Sequence, residues 1–218
     1  MIGESGSGKT TLFKVLLGIN SPKNGFRIEG GLFYDKNILF PGKEKKIQPV
    51  FQDPSLYFNP EWKMIDSLYE PFYFRGISKT EAKNQIKNYL DTFSLTNINL
   101  ENTSKTFSGG ELQRLSILRA IFFEPEFLLM DEPVSGLDRL VLLDTIAFIK
   151  KLVSIRKITI LIVSHDLEFI SSISSFVYVL QNGKIVDSGT KEKVFNSPGF
   201  GYTSELLKAR DLSNLRED

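Results

Sequence analysis

The chain has 218 residues, a length that suits one large domain or two closely joined lobes. Its 27 lysines and arginines nearly balance 26 aspartates and glutamates, so no strong overall field attracts nucleic acid or an acidic lipid surface. The lack of cysteine excludes disulfides and thiolate metal sites, and a single histidine excludes a histidine-rich metal cluster.

The chain begins with MIGESGSGKTTL, which fits the spacing G-x-x-x-x-G-K-[ST] of a phosphate-binding loop, with Gly3 and Gly8 as the fixed glycines. Small residues let the backbone curl so that successive N–H groups point inward, and the helix predicted from Leu12 adds its positive end. Lys9 would neutralise the β- and γ-phosphates, and Thr10 would offer its hydroxyl to Mg²⁺. The alternative is a chance match, expected in roughly one chain of this length in a hundred.

The segment after the loop helix predicts strands first and helices later. Short strands are expected at 26–28 and 31–34, and the run IQPVFQDP predicts a strand that ends at Gln52-Asp53-Pro54. Helical patterns follow over 62–75 and over SKTEAKNQIKNYLDTF, where Ser78 is placed as the N-cap of a capping box. A further helix is expected from Gly109-Gly110 through Ile121.

Strand patterns return in the last part of the chain. FLLM (127–130) and ITILIV (158–163) are unbroken apolar runs, typical of parallel strands buried on both faces, and a helical pattern over 137–152 separates them. FVYVL and KIVDS flank an Asn-Gly turn and predict a hairpin, and YTSELLKARDL predicts a last helix. We therefore expect one domain in two lobes: 1–53 with 124–218 as the α/β lobe, and 54–123 as a helical lobe.

The segment FLLMDEP places two adjacent carboxylates at the end of a buried strand. Asp131 and Glu132 would lie at the carboxyl end of the sheet, where α/β folds bind their ligands. Asp131 would then hold Mg²⁺, directly or through water, and Glu132 would polarise an attacking water. The alternative is a solvated acidic turn.

The segment FSGGELQR predicts a second anion site. Ser108, Gly109 and Gly110 stand where a helix should begin, and the exposed N–H groups of a helix N-terminus bind anions. An ordinary N-cap is the alternative for this segment taken alone. A chain that already has one complete phosphate loop makes the anion site the better interpretation.

Two single residues also follow apolar strands. Gln52 ends PVFQ, and His165 ends ITILIVSH, so both are expected at the edge of the sheet where the carboxylates lie. A neutral imidazole at that edge can donate a hydrogen bond to a γ-phosphate or to its attacking water. A structural role is the alternative for a lone histidine.

These motifs occur in a definite order: GESGSGKTT, Gln52, SGGE, MDEP, SGLD and SHD. In this order, and over essentially the whole chain, the sequence resembles the nucleotide-binding subunit of ABC transporters. The resemblance implies an α/β fold with a P-loop NTPase (RecA-like) core, an inserted helical subdomain and a small antiparallel β portion. It also implies ATP and Mg²⁺ as ligands, ATP hydrolysis coupled to transport, and a head-to-tail dimer with two ATP molecules held between the subunits.

The resemblance also assigns roles to individual residues. Glu132, His165 and Gln52 are the expected catalytic residues, and Thr10, Gln52 and Asp131 are the expected Mg²⁺ site. The residues expected to bind the nucleotide are Gly3, Glu4, Ser5, Gly6, Ser7, Gly8, Lys9, Thr10 and Thr11, with Ser108, Gly109, Gly110 and Asp138 acting on the nucleotide of the partner subunit.

Finer details are similar to one branch of the family, the ATPases of oligopeptide and nickel importers. VFQDPSLYFNP, SGGELQR, DEPVSGLD and VFNSPGFGYTSELLKA carry this similarity, and Tyr202-Thr203 is typical of the branch. It implies a non-identical partner ATPase, two transmembrane permease subunits, indirectly a solute-binding protein, and a place on the cytoplasmic face of the cell membrane. The nickel- or metallophore-type second subunit is expected to be nearest, because a longer C-terminal extension is missing.

The chain departs from the family at its start and at a few motif positions. Phe107, Glu111 and Gly136 replace more general family residues, although Glu111 is common in this branch. Family members carry further strands and an adenine-stacking aromatic residue before the loop, so we expect an N-terminally truncated chain. Met1-Ile2 would then be unable to anchor the loop in the sheet, a neighbouring strand would expose an edge, and ATP would be bound poorly.

Other functions remain open beside the importer ATPase. A truncated, inactive ABC ATPase fragment would keep the motifs without the activity. A non-transport ABC ATPase of translation or DNA repair would usually show two cassettes or a long coiled-coil insertion, and a basic surface is lacking. A small P-loop kinase would need neither SGGE nor SGLD, and we expect no nucleic acid partner.

Overall fold

The computed structural model describes residues 1–30, 32–34, 37–39 and 47–214. Its elements are, in chain order, α1 (Lys9–Leu16), β1 (Leu32–Tyr34), β2 (Asn37–Leu39), β3 (Ile47–Val50), α2 (Met64–Phe74), α3 (Lys79–Thr92), α4 (Gly109–Ile121), β4 (Phe127–Asp131), α5 (Arg139–Ile155), β5 (Thr159–Val163), α6 (Leu167–Ile173), β6 (Phe176–Gln181), β7 (Lys184–Thr190), α7 (Lys191–Asn196) and α8 (Gly201–Asn214).

The chain divides into two compact units. One unit comprises Met1–Glu44 and Leu161–Asp218, and the other comprises Lys45–Ile160. Across the part of the chain that the structure describes, no helix is both long and apolar enough to cross a membrane.

The first unit is built around the hairpin of β6 and β7. The two strands pair in an antiparallel register from Phe176↔Thr190 to Gln181↔Lys184. Asn182 and Gly183 join them with φ of 48° and 75°, as a turn of the primed type requires. The predicted hairpin and its Asn-Gly turn are therefore confirmed.

One strand predicted for this unit is wrong. Residues 26–28 lie in irregular backbone after Gly25, Phe26 and Ile28 are exposed, and no strand of the described residues pairs with this short apolar run. Leu32–Tyr34 does form β1, which pairs antiparallel with β2. Gly31, the first residue of that predicted strand, lies outside the described residues.

The second unit contains a parallel pair of strands, of which β4 is buried and β3 is mostly half-buried. β3 runs parallel to β4 in a register that places Val50 opposite Met130. β4 lies between β3 and β5, whose first two residues belong to this unit. Leu128, Leu129 and Met130 are at most 1% exposed, so the prediction of a strand buried on both faces is confirmed.

In the second unit, α2 and α5 pack on α4, most of whose residues are buried, and α3 packs on α2. Arg119 of α4 donates to the backbone oxygen of Ser67 in α2 and forms an ion pair with Glu70. The rings of Phe72 and Phe122 lie 4.8 Å apart, centroid to centroid. These contacts fix the last turn of α4 against α2.

The predicted N-cap of α3 is confirmed, although the contact is one-sided. Ser78 accepts a hydrogen bond from the backbone N–H of Glu81, while the Glu81 carboxylate accepts from Gln85. A complete capping box occurs instead at α4, between Ser108 and Glu111.

Candidate active site

The segment from Gly3 to Gly8 forms a loop directly before α1, as the glycine spacing predicted. Gly6 and Gly8 have φ of 80° and 102°, values that side chains rarely adopt. Gly8 precedes α1 and provides no side-chain cap, and the first N–H groups of a helix have no partner within the helix itself. A positive helix end with open donors is an anion-binding arrangement.

Met1 and Ile2 hold the loop at its first end. The nitrogen of Met1 donates to the oxygen of Ile162, and its oxygen accepts from Ser164 N at 3.1 Å. On the other side, Ile2 pairs in parallel with β6 through Tyr178 O and Leu180 N. The expectation that two residues cannot anchor the loop is therefore wrong, because both adjacent strands bond to them.

Two further contacts support the loop, and sequence reasoning missed both of them. The backbone N–H of Gly183 in the β6–β7 turn donates to the oxygen of Ser7 at 2.8 Å. At Glu4, the backbone N–H donates to the hydroxyl of Tyr202 in α8 at 3.2 Å. Gly3 fits tightly beside β6, since a Cβ there would lie 2.3 Å from the backbone oxygen of Leu180.

The substitution Gly3→Ala is expected to lower the melting temperature by several degrees. The added Cβ would overlap a backbone oxygen of β6, and overpacking of this kind costs about 1–3 kcal/mol. Thermal unfolding followed by circular dichroism measures the loss. Gly76→Ala is the matched control, because Gly76 also has a positive φ but open space where a Cβ would lie. Equal losses for the two variants would contradict the importance of the contact with Leu180.

Lys9 lies across the loop that it belongs to. Its ammonium donates to the backbone oxygens of Gly3 and Glu4, each at 2.8 Å, and the residue is only 6% exposed. The Ser7 hydroxyl is buried and has no hydrogen-bond partner among the described residues. A buried cation, a hydroxyl without a partner among the described residues and the positive end of α1 form a donor set that fits a polyphosphate.

The other predicted residues of this unit are Thr10 and Thr11, in the first turn of the helix after the loop, and His165, just after β5. Thr10 and Thr11 begin α1 and are exposed. His165 is exposed. It lies between Ser164, whose N–H donates to Met1 O, and Asp166. Ser164 Oγ accepts from the N–H of Asp166, and Asp166 in turn caps α6. His165 therefore comes directly after Ser164, the residue that bonds to Met1 just before the loop.

In the second unit, Asp131 is the last residue of β4, and Gln52 follows β3, the parallel strand paired with it. Because Val50 lies opposite Met130, both residues come at the carboxyl end of their strand. Gln52 Nε2 donates to Ser135 Oγ at 3.3 Å, a contact with the loop after the carboxylates that sequence reasoning missed. Asp131 is 7% exposed, which is unusual for a carboxylate and typical of a functional position.

Glu132 has a left-handed backbone conformation, with φ of 47°. For a residue with a Cβ this conformation costs roughly 1–2 kcal/mol, so the surrounding turn must hold it. The backbone N–H of Ser135 donates to the oxygen of Glu132 at 3.1 Å and closes that turn. Backbone strain at the residue predicted to polarise water is a feature of functional sites.

The predicted second anion site lies at the start of α4. Ser108 caps the helix: its hydroxyl accepts from Glu111 N and donates to the Glu111 carboxylate at 2.9 Å. A Cβ at Gly109 would meet open space, whereas one at Gly110 would lie 2.3 Å from a methyl carbon of Val141. Gly109 therefore leaves room for an approaching group.

Asp138 belongs to the same neighbourhood as this second site. It caps α5 by accepting from the N–H of Val141, the residue that contacts Gly110. The N-termini of α4 and α5 therefore lie side by side in this unit. Val141 thus connects the SGGE and SGLD motifs, since it lies against Gly110 of the first and donates to Asp138 of the second.

A tyrosine supports the segment of Gln52, and no sequence signal pointed to it. The hydroxyl of Tyr57 accepts from the backbone N–H of Phe51 at 2.6 Å, next to Gln52. Burial raises the pKa of the Tyr57 hydroxyl, which keeps it neutral. Two hydrogen bonds from Ser55 lower the pKa of Asp53, which caps the turn between Phe51 and Tyr57.

The sequence is similar to known proteins of one family. A family profile described as ABC transporter matches residues 1–135. The oligopeptide transport ATP-binding protein OppF of Streptococcus pyogenes serotype M1 is 34% identical over 219 residues, which cover 96% of this chain and 70% of OppF. The nickel import system ATP-binding protein NikE of Staphylococcus aureus strain bovine RF122 / ET3-1 is 33% identical over 211 residues, 96% of this chain and 85% of NikE.

A solved structure shows the fold. The ADP conformation of an ATP-binding cassette of an ABC transporter matches with a TM-score of 0.75 over 94% of this chain and 85% of that one, at 23% identity. The likeness confirms the α/β, P-loop NTPase fold predicted from the sequence, and the relatives confirm the resemblance drawn from the motifs.

Proposed function

Because the chain belongs to the ABC transporter family, we propose that it is the ATP-binding and ATP-hydrolysing subunit that powers an importer of peptides or of nickel or metal chelates. The observation that carries the proposal is the phosphate loop, in which buried Lys9 bonds to two loop oxygens beside an uncapped helix start. Relatives named for oligopeptide transport and nickel import support this choice of cargo.

The loop residues would bind the phosphates of ATP. Backbone N–H groups between Gly3 and Thr11 would bond to the phosphate oxygens, and Lys9 would neutralise their charge. Mg²⁺ would be held by the Thr10 hydroxyl and Asp131, with Gln52, since oxygen ligands are those it prefers. When bound, the ion offsets the charge of the phosphoryl group as this group passes to water.

Glu132 and His165 would act on the hydrolysis step. Glu132 would accept a proton from the attacking water, a role its turn supports by holding the residue in one conformation. His165 would donate a hydrogen bond to the γ-phosphate or to that water, from an exposed position beside the loop strand.

The start of α4 would serve the nucleotide of a second ATPase subunit. Ser108, Gly109 and Gly110, with Asp138 beside them, present two neighbouring helix N-termini, and the space next to Gly109 admits an approaching phosphate. A head-to-tail pairing of homologous, non-identical subunits would bring a partner's ATP to this surface.

The remaining features of the proposal concern the assembly. The chain would lie on the cytoplasmic face of the cell membrane, against two permease subunits. A solute-binding protein would deliver the cargo to those permease subunits. Residues 54–123 would form a helical lobe with the SGGE motif, and 1–53 with 124–218 the lobe that binds ATP. Names of the relatives support a transport assembly.

Transport in a reconstituted assembly tests this function. Proteoliposomes that contain the chain and the permease and ATPase subunits that copurify with it are supplied with Mg·ATP, and uptake of a labelled oligopeptide and of radiolabelled nickel chelate is measured. ATP-dependent uptake of one cargo is the expected result. ATP hydrolysis without any uptake would indicate a non-transport ATPase, and the absence of ATP binding would indicate an inactive chain.

A further inference from the structure

Tyr202 lies at the start of α8 and contacts the phosphate loop at Glu4, a residue 198 positions earlier in the sequence. It is 8% exposed, and its hydroxyl lies 3.2 Å from the backbone nitrogen of Glu4, from which it accepts a hydrogen bond. The segment before α8 is tied to β7, because Gly199 N donates to the Asp187 carboxylate at 3.0 Å. The tyrosine therefore reaches the loop from a fixed support.

The hydrogen bond from Glu4 involves the same peptide group that Lys9 contacts. The nitrogen of Glu4 and the carbonyl of Gly3 belong to one peptide unit, whose oxygen accepts from the Lys9 ammonium at 2.8 Å. A peptide unit is planar, so fixing the direction of its N–H also fixes the direction of its C=O. Tyr202 and Lys9 thus hold the two ends of a single rigid group.

Two features make this peptide unit a sensitive point. Gly3, on one side of it, has no side chain to restrict its backbone dihedrals, so its conformation depends on close packing against Leu180 and on hydrogen bonds. The carbonyl of Glu4 also accepts from Lys9 at 2.8 Å, so both oxygens that receive the ammonium flank the nitrogen that Tyr202 binds. Without the tyrosine hydroxyl, Lys9 would be the remaining side chain among the described residues that bonds to this peptide unit.

We propose that Tyr202 is a positioning residue for ATP binding, which orients the Gly3–Glu4 peptide and through it the ammonium of Lys9. This inference rests on the proposed function, since Lys9 is taken to bind the phosphates. It gives the C-terminal helix α8 a role in the phosphate loop that the loop motif itself does not contain.

Tyr202→Phe keeps the buried ring and deletes only the hydroxyl. ATP affinity is expected to fall about 2- to 10-fold, the range of one hydrogen bond of this kind. The value of KM should rise by a similar factor while kcat changes less than about twofold, because the deleted group touches no reacting atom. Amide hydrogen exchange at Glu4 should become faster in the variant, while the melting temperature stays close to that of the wild type.

Titration of the purified chain with a fluorescent ATP analogue and Mg²⁺ measures the affinity. Tyr69→Phe is the matched control, because Tyr69 also loses a hydroxyl hydrogen bond, to Ile77 O at 3.4 Å, in the other unit. The double variant Lys9→Ala/Tyr202→Phe should bind no more weakly than Lys9→Ala alone, since the tyrosine acts through the lysine.

The outcomes distinguish a failure of the positioning role of Tyr202 from a failure of the proposed function. Wild-type affinity in Tyr202→Phe, or losses that simply add in the double variant, would overturn the positioning role and leave the proposed function standing. A wild-type chain that does not bind the analogue would overturn the proposed function and this inference with it. Faster exchange at Glu4 together with weaker, non-additive binding supports the inference.

Discussion

Glu132→Gln is expected to slow ATP hydrolysis by roughly 10²- to 10⁴-fold, the usual contribution of a general base, while ATP binding stays near its wild-type strength. Glutamine has nearly the shape of glutamate, so the turn closed by Ser135 N and Glu132 O should persist. An amide cannot take a proton from water at neutral pH. The variant should therefore retain bound ATP and accumulate as an ATP-dependent dimer with its partner ATPase.

Hydrolysis is measured by phosphate release, and dimer formation by size-exclusion chromatography with ATP and with ADP. Glu124→Gln is the matched control, because Glu124 also has a positive φ, 54°, and pairs with Arg75 away from the loops that bear the motifs. It should hydrolyse ATP at the wild-type rate. If Glu132→Gln also kept the wild-type rate, another group would have to be the base.

Lys9→Ala is expected to weaken ATP binding by roughly 10- to 100-fold, through the loss of a charge-assisted contact to the phosphates. The structure adds a second cost, since the oxygens of Gly3 and Glu4 lose the donor that bridges them. The loss should be large for ATP and ADP and small for AMP, because the lysine is proposed to act on the β- and γ-phosphates.

Affinities for the three nucleotides come from competition against a fluorescent ATP analogue. Lys14→Ala is the control on the same helix, since Lys14 is exposed in the last turn of α1 and should leave all three affinities unchanged. Equal losses for ATP and AMP would argue that Lys9 holds the loop together without contacting the terminal phosphates. Melting temperatures of both variants show whether the fold persists.

The features that the sequence alone predicted correctly are those with a local cause. The Asn182-Gly183 turn needs positive φ at two successive residues, which this pair adopts easily. Ser78 and Ser108 cap helices because their hydroxyls reach backbone N–H groups three residues on. Leu128–Met130 is buried on both faces because unbroken apolar runs suit parallel strands.

The wrong predictions have a tertiary cause. The apolar run at 26–28 looks like a strand, but no described strand pairs with it, so it stays irregular. Met1 and Ile2 look too short to anchor a loop, yet strands from residues 162–164 and 178–180 bond to both of their edges. Strand character depends on which neighbours the fold supplies, and no single segment contains that information.

The sequence by itself determined which chemistry is proposed for this protein: the loop with phosphate-binding spacing, the paired carboxylates and the serine-glycine helix start each consist of neighbouring residues. Only the tertiary structure decided how these parts are supported. Tyr202 reaches the Glu4 nitrogen, Gly183 reaches Ser7, and Gln52 reaches Ser135 across spans that no periodicity encodes. Local backbone sterics and hydrogen bonding act within a turn or two, whereas such distant contacts depend on how the whole chain packs.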